Sequence, residues 1–164
     1  MFRRGSLGTI RAAGMAVFDA REDFQRARRA HLAGRIARWL SARRRDPDVP
    51  FSLEDAEGLP RRAGRLEVIQ LSAIIGTLEP TTLFDARFRP ASERTRGRWE
   101  RIALAHREGV GLPPIVVLER PDGYYVIDGR HRVSVALALG LPDIDAYVTQ
   151  TTTVASEPGL RLAA

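Results

Sequence analysis

Apolar and polar positions alternate with strand-like and helix-like periods in the second half of the chain. Short apolar runs bounded by glycine and proline are typical of strands, whereas apolar residues three and four positions apart are typical of helices. The pattern predicts strands at 67–71, 113–118, 124–127 and 144–148, and helices at 92–108 and 131–139. A turn of helix at 71–75 and an irregular stretch at 77–90 complete the prediction. We therefore expect a small α+β fold.

Residues 19–45 carry a different pattern, which predicts a basic helix. Asp19 precedes Glu22 by three positions, as in a capping box. We expect His31 to lie on the surface of this helix. The residues predicted to share its apolar face are Leu32, Ile36, Trp39 and Leu40. Prolines and glycines among acidic residues at 46–64 indicate a linker.

These patterns divide the chain into three parts: a helical N-terminal extension with its linker at 1–64, a compact domain at 65–150 and a flexible tail at 151–164. Hydrophobic residues make up 44% of the chain, which is enough for a buried core. The absence of cysteine excludes disulfides, thiolate metal sites and cysteine nucleophiles. The sequence predicts neither a membrane span nor a secretory signal, so we expect a cytoplasmic protein.

The positive charge is unevenly distributed, and all 26 basic residues are arginine. Eight arginines and no acidic residue lie between Arg26 and Arg45, whereas the rest of the chain holds slightly more acids than arginines. This asymmetry indicates a polyanionic partner, either nucleic acid or an acidic surface. A solvated helix face or a codon bias toward arginine explains the same pattern. The arginines that we expect to contact a polyanion are Arg28, Arg29, Arg35, Arg38, Arg43, Arg44 and Arg45.

A predicted strand runs directly into a predicted helix through Asp128-Gly129-Arg130-His131-Arg132. A helix N-terminus offers unpaired N–H groups and partial positive charge, so it suits anions. Gly129 lets a phosphate approach the backbone, Arg130 and Arg132 add guanidinium groups that grip phosphate oxygens, and His131 donates from its ring. We predict a phosphate site here, with Asp128 either capping the helix or holding Mg²⁺. The alternative is an ordinary turn with solvated arginines.

The segment from Pro113 to Gly140 resembles the ParB N-terminal/sulfiredoxin-like superfamily. The shared pattern is a Pro-Ile strand, a turn, a second strand, Gly-X-[His/Arg]-Arg, and an alanine-rich helix that ends at Leu-Gly. The resemblance extends over residues 65–149. This part of the chain is similar to small bacterial ParB-like proteins that carry an Asp-Gly-X-His-Arg motif. It implies a small mixed sheet with packed helices, here preceded by the arginine-rich helix. It also implies binding of CTP or ATP, with Mg²⁺, through the loop.

By this resemblance, Gly129, His131 and Arg132 match phosphate-contacting positions, and Arg130 stands where sulfiredoxin has its catalytic cysteine. Because the chain has no cysteine, sulfiredoxin chemistry is excluded. The loop that carries Arg87 and Arg89 borders the pocket in the superfamily, so these two arginines are further candidates for phosphate contact. The helix-turn-helix of chromosome-partitioning ParB proteins does not follow, which argues against operator binding in the ParB manner.

Three functions stay open at this point. The first is a nucleotide-binding module whose N-terminal arginines associate with DNA. The second is an enzyme similar to the serine-kinase branch, a phosphotransferase in which His131 stabilises the phosphoryl group and Asp85 or Glu79 is the base. The third is a non-catalytic regulatory protein with a degenerate pocket. A protein partner or a homodimer is compatible with each, and His106 is expected to be packed rather than catalytic.

Overall fold

The computed structural model describes residues 6–40, 51–52 and 64–150, and it describes side chains over 14–37 and 64–150. Short 3₁₀ turns at Leu71–Ala73 and Glu93–Thr95 accompany the regular elements. Those elements are α1 (Ser6–Leu40), β1 (Phe51–Ser52), β2 (Arg65–Gln70), β3 (Ile74–Thr77), α2 (Arg96–Arg107), β4 (Ile115–Arg120), β5 (Gly123–Asp128), α3 (Arg130–Ala138) and β6 (Asp143–Gln150). The predicted α+β class is confirmed.

The described strands form one mixed sheet in the order β1-β3-β5-β4-β6-β2. The predicted hairpin is present, since β4 and β5 pair antiparallel across the turn before Gly123. β4 pairs in parallel with β6, β5 pairs in parallel with β3, and β2 pairs antiparallel with β6. The hairpin therefore occupies the centre of the sheet, and the end of β5 delivers Asp128 directly to the start of α3.

The main core lies between α3 and one face of the sheet. Every second residue of β4, β5 and β6 points to this face, as the two-residue period of a strand requires. Burying each large apolar side chain there stabilises the fold by about 1.5–3 kcal/mol. The buried members include Ile115 and Val117 of β4, Val126 of β5, Val133 and Ala136 of α3, and Ala146 and Val148 of β6.

A second cluster joins the three helices. Phe24 of α1 packs edge-on against Trp99 of α2, with ring centroids 5.5 Å apart. Trp99 donates through its indole Nε1 to Ser134 Oγ of α3 at 2.9 Å, so α2 is held in a defined position against α3. Phe84, from the irregular stretch before α2, is buried in the same cluster.

The N-terminal helix differs from its prediction. It runs from Ser6 to Leu40, so Asp19 lies inside it and cannot cap it. Its buried stripe consists of Ala20, Asp23, Phe24, Ala27 and His31, whereas Leu32 and Ile36 are 45% and 60% exposed. The prediction that His31 lies on the surface is wrong, because its ring packs against the body and only 5% of it is exposed. The Trp39 and Leu40 side chains lie outside the described residues.

The stretch predicted as a linker contributes to the sheet, because Phe51 and Ser52 pair in parallel with Gly76 and Thr77 of β3. β3 itself replaces the second part of the predicted turn of helix. Residues 53–63 and the tail at 151–164 lie outside the described part of the chain. Within the part that the structure describes, no helix is both long enough and apolar enough to cross a membrane.

Candidate anion-binding site

The turn from β5 into α3 depends on Gly129. This residue has a φ of 105°, and an added Cβ would lie 2.5 Å from Cγ2 of Ile115. Glycine is therefore required by the backbone conformation and by the core beneath it, which is a different reason from the predicted approach of a phosphate. Gly129 is also the N-cap of α3, and no side chain caps the helix. The capping role considered for Asp128 is thus wrong, and among the described residues no side chain bonds to the N–H groups of the first turn.

Arg132 serves the fold rather than the surface. Its side chain is buried, and it donates to the carbonyl oxygen of Pro113, to that of Pro114 at 2.7 Å and to Asp128 Oδ2 at 2.7 Å. These bonds tie the first turn of α3 to the segment that leads into β4. The expectation that Arg132 binds a ligand phosphate is therefore revised, because most of its donors already have partners within the protein.

Asp128 is the predicted metal ligand. Its side chain is 64% exposed and one carboxylate oxygen pairs with Arg132. Within the described residues no group of three or more His, Cys, Asp or Glu side chains could hold a metal ion. The residues present do not fit a site built by the protein alone, since Mg²⁺ needs six oxygen ligands in near-octahedral geometry.

His131 is partly buried at the start of α3, and its ring meets the ring of Phe84 edge-on with centroids 5.0 Å apart. Burial first, and then the positive charges of Arg98 and Arg130, lower its pKa from 6.5 to about 4; Asp128 acts in the opposite direction. The imidazole is therefore neutral at pH 7, with one nitrogen that donates and one that accepts.

Two guanidinium groups lie close enough to His131 to act on its charge. Arg130 makes only long contacts with Glu79, 3.7 Å to the exposed carboxylate and 3.5 Å to the carbonyl oxygen. Arg98 lies on the exposed side of α2, and no hydrogen bond or ion pair to it is found among the described residues. Sequence reasoning missed Arg98, because its proximity to α3 follows from the docking of the neighbouring Trp99 on Ser134.

The irregular stretch before α2 is organised around Asp85, which is 1% exposed. Its carboxylate accepts from His31 Nδ1 at 3.0 Å, from Arg89 Nε at 2.7 Å, and from the backbone N–H groups of Arg87 and Arg89 at 3.0 and 2.9 Å. Burial alone raises the pKa of Asp85, but the hydrogen bonds from His31 and Arg89 outweigh it, and the net pKa lies below the usual value.

Asp85 is therefore a poor general base, since it is ionised, buried and fully engaged, and its predicted catalytic role is revised. Arg89 is likewise engaged, because it pairs with Asp85 and donates to the carbonyl oxygen of Ala30 in α1 at 2.7 Å. Its predicted phosphate contact is revised as well.

Arg87 is exposed, and its phosphate contact stays a prediction. His106, which was expected to pack, is exposed.

The arginines of α1 are not equivalent. Arg28 attaches the helix to the body through the carbonyl oxygen of Ala91 at 3.3 Å and the carboxylate of Glu93 at 3.1 Å. Arg29 and Arg35 are exposed. The side chains of Arg38, Arg43, Arg44 and Arg45 lie outside the described residues. Contact with a polyanion through this segment stays a prediction.

A cavity of about 430 Å³ lies between the end of α2, residues 109–113, α3 and residues 141–145. Arg132 forms part of its wall, but Arg98, Arg130 and His131 do not. This cavity is thus separate from Arg98, Arg130 and His131 at the start of α3. A polyphosphate binds through N–H donors and positive charges and needs no deep pocket.

Comparison with known proteins identifies a domain family for the second half of the chain. No curated protein matches the sequence. Among solved structures, the chain is similar to the crystal structure of sulfiredoxin from Arabidopsis thaliana, with a TM-score of 0.38 and 24% identity over 51% of this chain and 83% of that one. The ParB N-terminal domain matches residues 67–158, which include the β4–β5 hairpin, Gly129 and α3. This chain belongs to the ParB N-terminal domain family.

Proposed function

We propose that this protein binds a nucleoside triphosphate, CTP or ATP, by its phosphates at the N-terminus of α3. The observation that carries the proposal is that this helix start has no side-chain cap and that the positive charges of Arg98 and Arg130 act on His131 in its first turn. One of these guanidinium groups has no partner among the described residues, and the other makes only long contacts. Membership of the ParB N-terminal domain family supports the same location.

The electrostatics favour a multiply charged ligand. The helix N-terminus contributes about half a positive charge, and two arginines raise the local potential enough to help keep His131 neutral. The exposed Glu79 carboxylate offsets this charge only weakly, because solvent screens an ion pair at such a distance. A polyphosphate would neutralise the excess positive charge and accept hydrogen bonds from the N–H groups at the start of α3. Because it carries several negative charges, its electrostatic attraction to the site would exceed that of a monoanion.

A Mg²⁺ ion bound with the nucleotide would neutralise part of the charge on the phosphates. Asp128 is the exposed carboxylate next to the helix start, so it would be the residue to contact such an ion. The other ligands would come from nucleotide oxygens and water.

One observation favours phosphoryl transfer as a second candidate function. The carboxylate of Glu79 is 75% exposed and lies 3.7 Å from Arg130. It therefore stands beside the proposed phosphate site and is open to a substrate, as a general base must be. Of the two bases suggested by the sequence, Glu79 fits this role better than the buried Asp85.

The test is calorimetric titration of the full chain with ATP and with CTP, each with Mg²⁺. Native protein should bind one of them, and Arg98→Ala and Arg130→Ala should each weaken binding about tenfold, equivalent to ~1.4 kcal/mol. Arg101→Ala is the matched control, because this exposed arginine of the same helix bonds to its own helix at Gly97. Binding of neither nucleotide, or full affinity in the Arg98→Ala/Arg130→Ala double variant, would refute the proposal. Release of ADP or CDP from the nucleotide that binds, abolished in Glu79→Gln, would establish transfer or hydrolysis.

A further inference from the structure

We propose that α1 is part of the framework of the anion site and that His31 is a positioning residue for it. His31 holds Asp85, and Asp85 holds the loop of residues 84–90 in the conformation that packs against His131. This inference rests on the proposed function, since it concerns the affinity of the same site. His31 itself is not placed in contact with the ligand.

The loop of residues 84–90 has a conformation that requires support. Phe84 and Pro90 form an isolated bridge, the N–H of Asp85 donates to the carbonyl oxygen of Arg89 at 3.0 Å, and the N–H of Phe88 donates to that of Asp85 at 2.8 Å. Phe88 has a φ of 58°, which is unfavourable for a bulky residue. The turn therefore persists only if its surroundings determine it.

Asp85 provides that support from inside the loop. Its Oδ1 accepts the N–H groups of Arg87 and Arg89, the residues on either side of Phe88. Its Oδ2 accepts from Arg89 Nε and from His31 Nδ1. Because a buried carboxylate is costly unless it is paired and hydrogen-bonded, the donor from His31, which comes from a different element, helps to fix where Asp85 lies.

α1 is shaped to receive the loop. Arg89 donates to the carbonyl oxygen of Ala30 at 2.7 Å, and Arg28 reaches the carbonyl oxygen of Ala91 at 3.3 Å just beyond the loop. An added Cβ on Gly34 would lie 2.7 Å from an Nη atom of Arg89. A glycine that is unfavourable within a helix therefore leaves room for the guanidinium that binds Asp85.

The other side of the loop touches the anion site. Phe84 is 1% exposed, and its ring meets His131 nearly at right angles. It also belongs to the cluster formed by Phe24 of α1, Trp99 of α2 and Val135 of α3. A shift of the loop would therefore move the Phe84 ring that packs against His131. The contact of His31 with Asp85 would in this way affect the first turn of α3 through packed side chains.

The test compares two substitutions of His31. His31→Leu removes the donor to Asp85, whereas the amide of His31→Asn can still donate at the place of Nδ1. The control is Leu32→Ala, which changes the next residue of α1 on its exposed side. The first readout is hydrogen exchange at the amides of Arg87 and Arg89 without ligand. The second is the affinity for ATP and CTP with Mg²⁺ at a temperature where all variants are folded.

His31→Leu should speed exchange at both amides and weaken nucleotide binding about tenfold, since a hydrogen bond to a charged group is lost. His31→Asn should restore both properties, and Leu32→Ala should behave like native protein. If His31→Leu does not fold, His31→Phe serves instead, because it keeps a ring in the buried position and removes the donor to Asp85. The same two changes should then occur.

Unchanged exchange at Arg87 and Arg89 in the variant that lacks the donor to Asp85 would overturn the inference, whatever happens to nucleotide binding. A loosened loop with native affinity would overturn it as well, because the loop would then be uncoupled from the site. If native protein binds neither nucleotide, the proposed function fails. The exchange experiment would in that case still decide whether His31 holds the loop.

Discussion

Ile115 occupies the space into which a side chain on Gly129 would point. An added Cβ would meet Cγ2 of Ile115 at 2.5 Å and its Cβ at 2.8 Å. The glycine of the Asp-Gly-X-His-Arg motif is therefore required by the core as well as by the turn. The motif owes part of its composition to packing, and the distinction between its structural and its ligand-binding residues can be tested one residue at a time.

Gly129→Ala should destabilise the fold even without ligand. Alanine is strained at a left-handed φ, and its Cβ would clash with Ile115. We expect a loss of about 2–4 kcal/mol in the free energy of unfolding, because strain and overpacking add. Urea denaturation measures it. Gly97→Ala is the control, because nothing lies within 4 Å of an added Cβ in that helical position. The control should be neutral or stabilising by up to about 1 kcal/mol. Equal stability of the two variants would contradict the packing argument.

Alanine substitutions of Arg130 and Arg132 should have different effects on nucleotide binding and on the free energy of unfolding. Arg132→Ala removes a buried guanidinium that bonds to two carbonyl oxygens and a carboxylate, and we expect it to cost about 2–4 kcal/mol of stability. Arg130→Ala should change the free energy of unfolding by less than about 0.5 kcal/mol, because its contacts are long and exposed, while it weakens nucleotide binding. Chemical denaturation and titration of both variants measure the two effects. If Arg130→Ala lowered stability and Arg132→Ala weakened only nucleotide binding, the proposed roles of the two arginines would be wrong.

The low pKa of His131 predicts the direction in which stability depends on pH. The unfolded chain takes up a proton near pH 6.5, whereas the folded protein does so only near pH 4. The free energy of unfolding should therefore decrease as the pH falls from 6.5 to 4, and the contribution of His131 is fully present above that range. Because the ring is partly exposed, we expect about 1–2 kcal/mol. His131→Gln should flatten this dependence in denaturation curves across this range.

Anion binding should raise the pKa of His131, which the neighbouring arginines help to lower. A bound anion opposes the effect of Arg98 and Arg130, so it raises the pKa of the imidazole, and by linkage the anion binds more tightly as the pH falls toward 4. Sulfate is a suitable probe, because it keeps its double charge over this range. Its dissociation constant should fall on acidification in native protein and should depend less on pH in His131→Gln. A dissociation constant that does not vary with pH in the native protein would place the anion away from His131.

The sequence predicted the elements whose periodicity is simple. The β4–β5 hairpin and α3 follow from apolar runs, a Pro-Asp-Gly turn and a glycine at the helix start, and these patterns act locally. β3 was missed because its four residues directly follow a 3₁₀ turn and its pairing with β5 joins distant parts of the chain. Local patterns do not contain that pairing.

The buried face of α1 was predicted wrongly for a related reason. Ala20 and Ala27 are small, and Asp23 and His31 are polar, so none of them stands out as a core residue. They are buried because the body supplies partners, among them Arg107 for Asp23 and Asp85 for His31. The more hydrophobic Leu32 and Ile36 have no such complement and stay exposed.

The sequence predicted the turn and the start of α3, whereas the anion site and its ligand contacts stay predictions. An arginine next to a glycine has the same appearance in a sequence whether it binds a phosphate or a carbonyl oxygen. Arg132 and Arg89 proved to bind the protein itself. Arg98 was not considered, because only the packing of α2 on α3 brings it near His131.

The strand order has a consequence for how the chain acquires its structure. β2 is an edge strand that pairs with β6 through six residue pairs and with no other described strand. About 70 residues of chain therefore separate the two partners, and closing so long a loop is slow because of its entropy. During synthesis β2 emerges early and remains without a partner until residue 150 has left the ribosome. A chain truncated before Asp143 would lose two strands rather than one, and its β4 edge would be left open to aggregation.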